Sequence, residues 1–211
     1  MTTHCSWCQG VDWEFYVIDS PQVNAFVVPG GKVVCFTGLI KLMRNDDDLI
    51  AAVLGHEVAH ILARHIAEKL TRGSFIFLAQ FFLYTALGIP VPIELLQLTL
   101  FLPNSRKLEK EADIIGIHLA ARACYDPAAA IVAQERMAAV VEGTLGKDSP
   151  ALRWLSTHPL SKERIDALVQ NLPKAQATYE ESGCEQQKQD FWGSLPHAVP
   201  RIKRAAEWGW E

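Results

Sequence analysis

The chain has 211 residues, 49% of them hydrophobic and 21% charged, with a formal net charge of −4. That balance excludes a mostly disordered, collagen-like or coiled-coil protein, and the length is enough to bury a real core as one domain with appendages. With no basic excess to attract a phosphate backbone, no nucleic-acid partner is expected.

Residues 1–12 read as a flexible segment. Met1 to Gly10 has neither the apolar run of a signal peptide nor an Arg-rich amphipathic pattern. The expectation is a protein that is not imported, or a mature or truncated piece. Cys5 and Cys8 form a Cys-x-x-Cys pair that no second pair completes, and the five cysteines are too scattered for a disulfide framework; free thiols are expected there. The main domain is expected over 13–173. β-branched and aromatic content predicts strands at 13–18, 24–28 and 32–36, the last two joined by a turn at Pro29-Gly30-Gly31. Asn45-Asp46-Asp47-Asp48 supplies a cap and dipole-complementing acids for a helix from about Leu49 to Leu70, closed by Arg72-Gly73.

Residues 74–103 carry one charge, Glu94, and Pro90 and Pro92 split the stretch into two apolar pieces. The first falls slightly short of the ~20 apolar residues a spanning helix needs. A helical hairpin, buried or dipping into a membrane, is therefore expected rather than a full span. Further helices are predicted at 107–123, from Asp126-Pro127 onward, and from Ser161 to just before Pro173, the last after a glycine-bearing loop over 143–150. The segment 174–211 is polar and then Trp-rich without a clear period, and is expected to be poorly ordered.

The long helix contains His56-Glu57-Val58-Ala59-His60. Helical residues four apart share a face, so both imidazoles can reach one Zn²⁺, and Glu57 on the flank can take a proton from water. A Glu between two His inside the apolar run Ala51–Leu62 is costly to bury without a partner, and a cation is the simplest one. His65, five residues past His60, reads as surface or core rather than a ligand. A catalytic zinc needs a third protein ligand. In Ser105-Arg106-Lys107-Leu108-Glu109-Lys110-Glu111-Ala112-Asp113, Glu109 and Asp113 share a helix face and Glu111 lies ~200° away. One carboxylate can bind the metal while Asp113 accepts a hydrogen bond from a ligand His and fixes its tautomer. Taken alone, the run reads as a solvated charged face.

These two motifs, followed by Thr157-His158-Pro159-Leu160-Ser161-Lys162-Glu163-Arg164-Ile165 and preceded by Asn24-Ala25-Phe26 before a Gly-Gly turn, resemble the zinc metallopeptidases of the HtpX and CAAX-prenyl-protease family. The likeness is strongest to its branch of mitochondrial inner-membrane metalloendopeptidases whose activity overlaps the m-AAA protease, and it covers about Val17 to Leu172. It implies a mainly α (α+β), zincin-like fold with a small sheet beside the active-site helix. It implies one Zn²⁺ per chain held by His56, His60 and Glu109, with Glu57 as general base. His158 would lie near the metal, stabilising an oxyanion or acting as a reversible fourth ligand. Arg164 would orient His158 or the substrate carbonyl; a surface Arg is the competing reading. Asn24, Ala25 and Phe26 would form the edge strand that receives an extended substrate.

The implied function is endoproteolysis of membrane-associated or misfolded proteins in quality control. The expected partners are a protein or peptide substrate and a membrane surface or membrane protein. The expected location is the mitochondrial inner membrane, with the bacterial periplasm or a membrane-associated state as the alternative. Two other readings are C-terminal trimming of prenylated proteins and a non-catalytic, zinc-stabilised holdase. The first branch normally shows several long spanning helices, and an intact Glu57 argues against the second.

Overall fold

A computed structural model of the chain describes residues 11–88, 90, 92, 102–143 and 158–194. The elements in order are β1 (Glu14–Ile18), β2 (Ala25–Val28), β3 (Lys32–Phe36), α1 (Thr37–Leu42), α2 (Asp47–Leu62), α3 (His65–Leu87), α4 (Leu102–Arg122), α5 (Ala129–Gly143), α6 (Lys162–Glu181) and α7 (Cys184–Ser194). The fold is the mainly helical, zincin-like arrangement expected, with a three-stranded sheet beside the motif-bearing helix α2. Cys5, Cys8, the loop after Gly143, Thr157 and residues 195–211 lie outside the described residues.

The sheet has the order β1-β3-β2, with β1 parallel and β2 antiparallel to β3. β2 and β3 form the expected hairpin, because Gly30 and Gly31 adopt φ of 94° and 83°, which other residues rarely tolerate. The inward residues Ala25 and Cys35 join a core with Leu39 and Met43 near α1, Leu49, Ala52 and Val53 of α2, and Ala129, Ala133 and Met137 of α5. Asp46 caps α2 by accepting from the amides of Asp48 and Leu49 at 3.1 and 3.2 Å, as its acids predicted.

Three boundaries differ from the sequence expectation. The helix predicted over 49–70 breaks at Ala63–Arg64, where Arg64 takes a left-handed φ of 58°. α3 then runs on through Arg72-Gly73, because one glycine in a helix costs only about 1 kcal/mol. α3 is not buried: Phe75, Phe77, Leu78, Phe81, Phe82, Tyr84 and Leu87 are all exposed. Among the described residues nothing buries that half of the 74–103 stretch. The helix is long and apolar enough, by length and composition, to cross a membrane; the second half, 93–101, lies outside the described residues.

The third difference is at the C-terminus. α6 passes through Pro173 to Glu181, and α7 follows where no order was expected. The proline removes the amide that would bond the Val169 carbonyl, but Val169 stands on the exposed side. Beyond it, Ala175 and Tyr179 are buried in apolar clusters with Ile117 and Ala121 of α4. That packing outweighs the helix-breaking tendency. Cys184 is joined to Cys124 by a disulfide that ties α7 to the end of α4, and the free thiol Cys35 is buried in the main core.

Candidate active site

α2 buries one stripe: Leu49, Ala52 and Val53 in its first half, then His56, Glu57, Ala59 and His60 in its second. The helical period that carries the apolar stripe into the core thus carries the two imidazoles and the carboxylate with it. α4 behaves the same way. Its buried doublets recur every four residues, Leu108–Glu109, Ala112–Asp113, Gly116–Ile117 and Ala120–Ala121. Glu111 lies off that stripe, and its side chain is half exposed.

The two stripes meet at a glycine crossing. A Cβ placed on Gly55 would stand 3.0 Å from the Gly116 carbonyl oxygen, and one on Gly116 would stand 3.0 Å from the His56 amide nitrogen. No other residue pair lets the helices approach so closely, and one and two turns back from Gly116 are Asp113 and Glu109. His56 Nε2 and His60 Nε2 are 3.1 Å apart, with Glu109 Oε2 at 3.2 Å from the former and Oε1 at 3.5 Å from the latter. His158, just before α6, adds Nδ1 at 2.8 Å from Glu109 Oε2 and 3.3 Å from His56 Nε2. One donor atom from each of His56, His60, Glu109 and His158 falls within 4.8 Å of all the others, the grouping a metal ion requires.

Around this group, Asp113 accepts from three residues. His56 Nδ1 lies 2.9 Å from its Oδ1, Arg164 donates Nε and Nη2 to its two oxygens at 2.7 Å each, and Gln134 donates Nε2 at 3.1 Å. Arg164 also donates to the Pro159 carbonyl at 3.0 Å, and so holds the turn that carries His158. It is buried, which removes the surface reading of that residue. Glu57 is buried, and its Oε1, 3.6 Å from His158 Nε2, has no hydrogen-bond partner among the described residues. Asn24 and Ala25 are buried and Phe26 is exposed; Ala25 and Phe26 lie on the edge strand β2 and Asn24 just before it, and none of them belongs to the cluster.

The electrostatics fit a divalent cation. Glu57, Glu109 and Asp113 place three buried carboxylates against one buried guanidinium, Arg164, a deficit of two positive charges. His56 and His60 both turn Nε2 inward, so two lone pairs face each other unless a proton or a cation stands between them. In the metal-free chain the charge is met by protons. Burial disfavours a charged His56, but its bonds to Asp113 and Glu109 prevail and raise it to about 9. Burial, then the neighbouring His56, pushes His60 down to about 2. Burial opposes charge on Glu109 and Asp113 as well, yet His158 and His56 hold Glu109, and Arg164 and His56 hold Asp113, below the usual carboxylate range. Burial raises Glu57.

Two residues of this environment were not anticipated. Gln134 is the one polar side chain after Ala128-Ala129-Ala130-Ile131-Val132-Ala133, a signal the sequence does contain. His65, read as surface or core, is core and packs against His60, with Nδ1 to Nδ1 at 2.9 Å.

The description of peptidase family M48 matches residues 7–172, which include every residue of the cluster. The chain belongs to peptidase family M48. Peptidases of that family use zinc, and the His56, His60, Glu109, His158 group is where the ion fits. Among M48 relatives, the chain is 46% identical over 174 residues to the mitochondrial metalloendopeptidase OMA1 of Schizosaccharomyces pombe, covering 82% of this chain and 50% of that protein. It is 36% identical over 186 residues to the mitochondrial metalloendopeptidase OMA1 of Homo sapiens, covering 82% and 35%. It is 28% identical over 165 residues to the β-barrel assembly-enhancing protease of Escherichia coli, covering 72% and 33%. The chain thus spans half or less of the length of these M48 relatives.

Proposed function

We propose that this chain is the catalytic part of a zinc metalloendopeptidase that cuts membrane-associated or misfolded proteins at the mitochondrial inner membrane, in protein quality control. The observation that carries this reading is the buried convergence of His56, His60 and Glu109 on one point, with the buried carboxylate of Glu57 beside it. Three protein ligands with a base at hand are the pattern of a catalytic zinc site rather than a structural one. The relatives' names, mitochondrial metalloendopeptidase in several organisms, support both the reaction and the compartment.

His56, His60 and Glu109 would hold the ion. When bound, zinc supplies Lewis-acid chemistry, drawing electron density from a carbonyl and making water a stronger acid at neutral pH. Glu57 takes the proton of the attacking water and hands it to the leaving amine; its burial raises its pKa toward the range where both transfers are favourable. His158, 3.6 Å from Glu57, would donate to the negative charge that develops on the carbonyl oxygen, or would serve as a fourth ligand of the ion when no substrate is present. Asp113, gripped by Arg164 and Gln134, keeps His56 with its proton on Nδ1 and its Nε2 lone pair inward. β2 ends the sheet, so an extended substrate can add to it as a further strand. The exposed apolar surface of α3 would contact lipid and bring membrane-bound substrates to the site.

The test is casein turnover by the zinc-loaded chain, with and without chelator, alongside Glu57→Gln. We expect chelation to abolish cleavage and Glu57→Gln to retain zinc while losing at least about 100-fold in turnover, the scale of a general base. Near-normal turnover by the metal-replete variant would sink the mechanism.

A further inference from the structure

His65 is one of the most completely buried side chains in the protein, yet it lies at the start of an exposed helix. On a continuous helix it would stand about 140° from His60. The break at Arg64, which spends a left-handed φ of 58° on a non-glycine residue, swings it back beneath His60. The two Nδ1 atoms come to 2.9 Å, and His65 Nε2 comes to 3.6 Å from Glu111 Oε2.

Two ring nitrogens at hydrogen-bond distance must be one donor and one acceptor. His60 turns Nε2 toward His56 and Glu109, 3.1 and 3.5 Å away. For that lone pair to hold an ion, a neutral His60 must carry its proton on Nδ1. The proton then points at His65 Nδ1, which must be the acceptor. His65 therefore keeps its own proton on Nε2, on the side of the Glu111 carboxylate.

We propose that His65 is a positioning residue of the metal site, accepting from His60 Nδ1–H and so fixing the tautomer and ring direction of that ligand, with Glu111 at the outer end of the chain of contacts. The inference rests on the zinc reading above. The two imidazole ligands are then oriented by different chemistry, His56 by the carboxylate of Asp113 and His60 by a neutral ring. A neutral acceptor suits this position, since a fourth buried carboxylate would leave the site with net negative charge even when the divalent ion is bound.

The test compares His65→Asn, whose amide oxygen stands where Nδ1 stood, with His65→Leu, similar in bulk but unable to accept. Zinc affinity is measured on the full chain by competition with a chromogenic chelator, and the melting temperature on the metal-free form. We expect His65→Leu to bind zinc about 10- to 100-fold more weakly, the size usual for losing a ligand's orienting partner, and His65→Asn to recover most of that loss. The metal-free melting curve shows that each variant is folded at the temperature of the zinc assay. His65→Leu binding zinc as tightly as the native chain, or His65→Asn binding as weakly as His65→Leu, overturns the proposal. Should His65→Leu fail to fold, nitrogen-15 spectra of the zinc-loaded native chain decide: protonated His60 Nδ1 and bare His65 Nδ1 support it, the reverse refutes it. A native chain that binds no zinc refutes the zinc reading itself, a result distinct from either variant outcome.

Discussion

His56 serves two states of the site with one ring. Without metal it holds a proton up to about pH 9, because burial, which alone would expel the charge, is outweighed by Asp113 and Glu109. Its unfolded value is near 6.5, so the raised native value contributes stability that is complete below about pH 6.5 and lost as pH rises through 9. The metal-stripped chain should therefore lose stability between pH 7 and 9, by at most about 1.4 kcal/mol per pH unit for one proton. Zinc needs the Nε2 lone pair, so its binding near pH 7.5 should release about one proton from His56. Calorimetry in buffers of different ionisation enthalpy counts that proton, and a flat melting profile with no proton release would exclude this account. Much of the site was legible at this scale. The four-residue spacings of His56 with His60 and Glu109 with Asp113 hold because each pair lies within one unbroken helix. Arg164 could not be told from a surface arginine, since its partner Asp113 is 51 residues away in sequence. His65, read as surface or core rather than a ligand, is core, but its place beneath His60 was not legible because the left-handed Arg64 cancels the phase that helical counting assumes.

At the scale of elements, two helices set the chemistry and a third stands apart from it. α2 and α4 touch backbone to backbone at Gly55 and Gly116, where an added methyl on Gly116 meets the His56 main chain at 3.0 and 3.1 Å. Backbone cannot rotate away as a side chain can, so Gly116→Ala must push α4 outward. We expect about 1–3 kcal/mol of lost stability, the cost of overpacking, and a fall in zinc affinity of about tenfold or more. Unchanged affinity, by chelator competition, would show that the crossing is not what positions Glu109. α3 carries its apolar residues all round rather than in one stripe, and a protein groove would cover only one face. Liposome flotation should show salt-insensitive binding, reduced by Phe81→Lys and Leu83→Lys with the metal-free melting temperature unchanged. A native chain that never floats removes lipid as the partner of α3. The helices themselves were read well where one face is apolar and the other polar. They were misjudged at Gly73 and Pro173, whose local preferences are weaker than the continuity of α3 and the burial of Ala175 and Tyr179.

For the molecule as a whole, the Cys124–Cys184 bond closes 60 residues of chain and fastens α7 to the end of α4. Loop-closure entropy assigns such a bond about 4 kcal/mol. Cys184→Ser should lower the melting temperature accordingly, and an unchanged value would mean that packing alone holds α7. The glycine crossing gives this distant fastening a further meaning. Gly116 is a fulcrum, and α4 is a beam resting on it. Glu109 lies about 10 Å along one arm and Cys124 about 12 Å along the other, at 1.5 Å per residue. Metal–ligand lengths tolerate about 0.2 Å, so the beam can tilt by only about one degree before Glu109 is out of range. A shift of 1 Å at the Cys124 end would move Glu109 by nearly as much in the opposite sense. The accuracy of a ligand at one end of the helix is thus borne by a covalent fastening at the other.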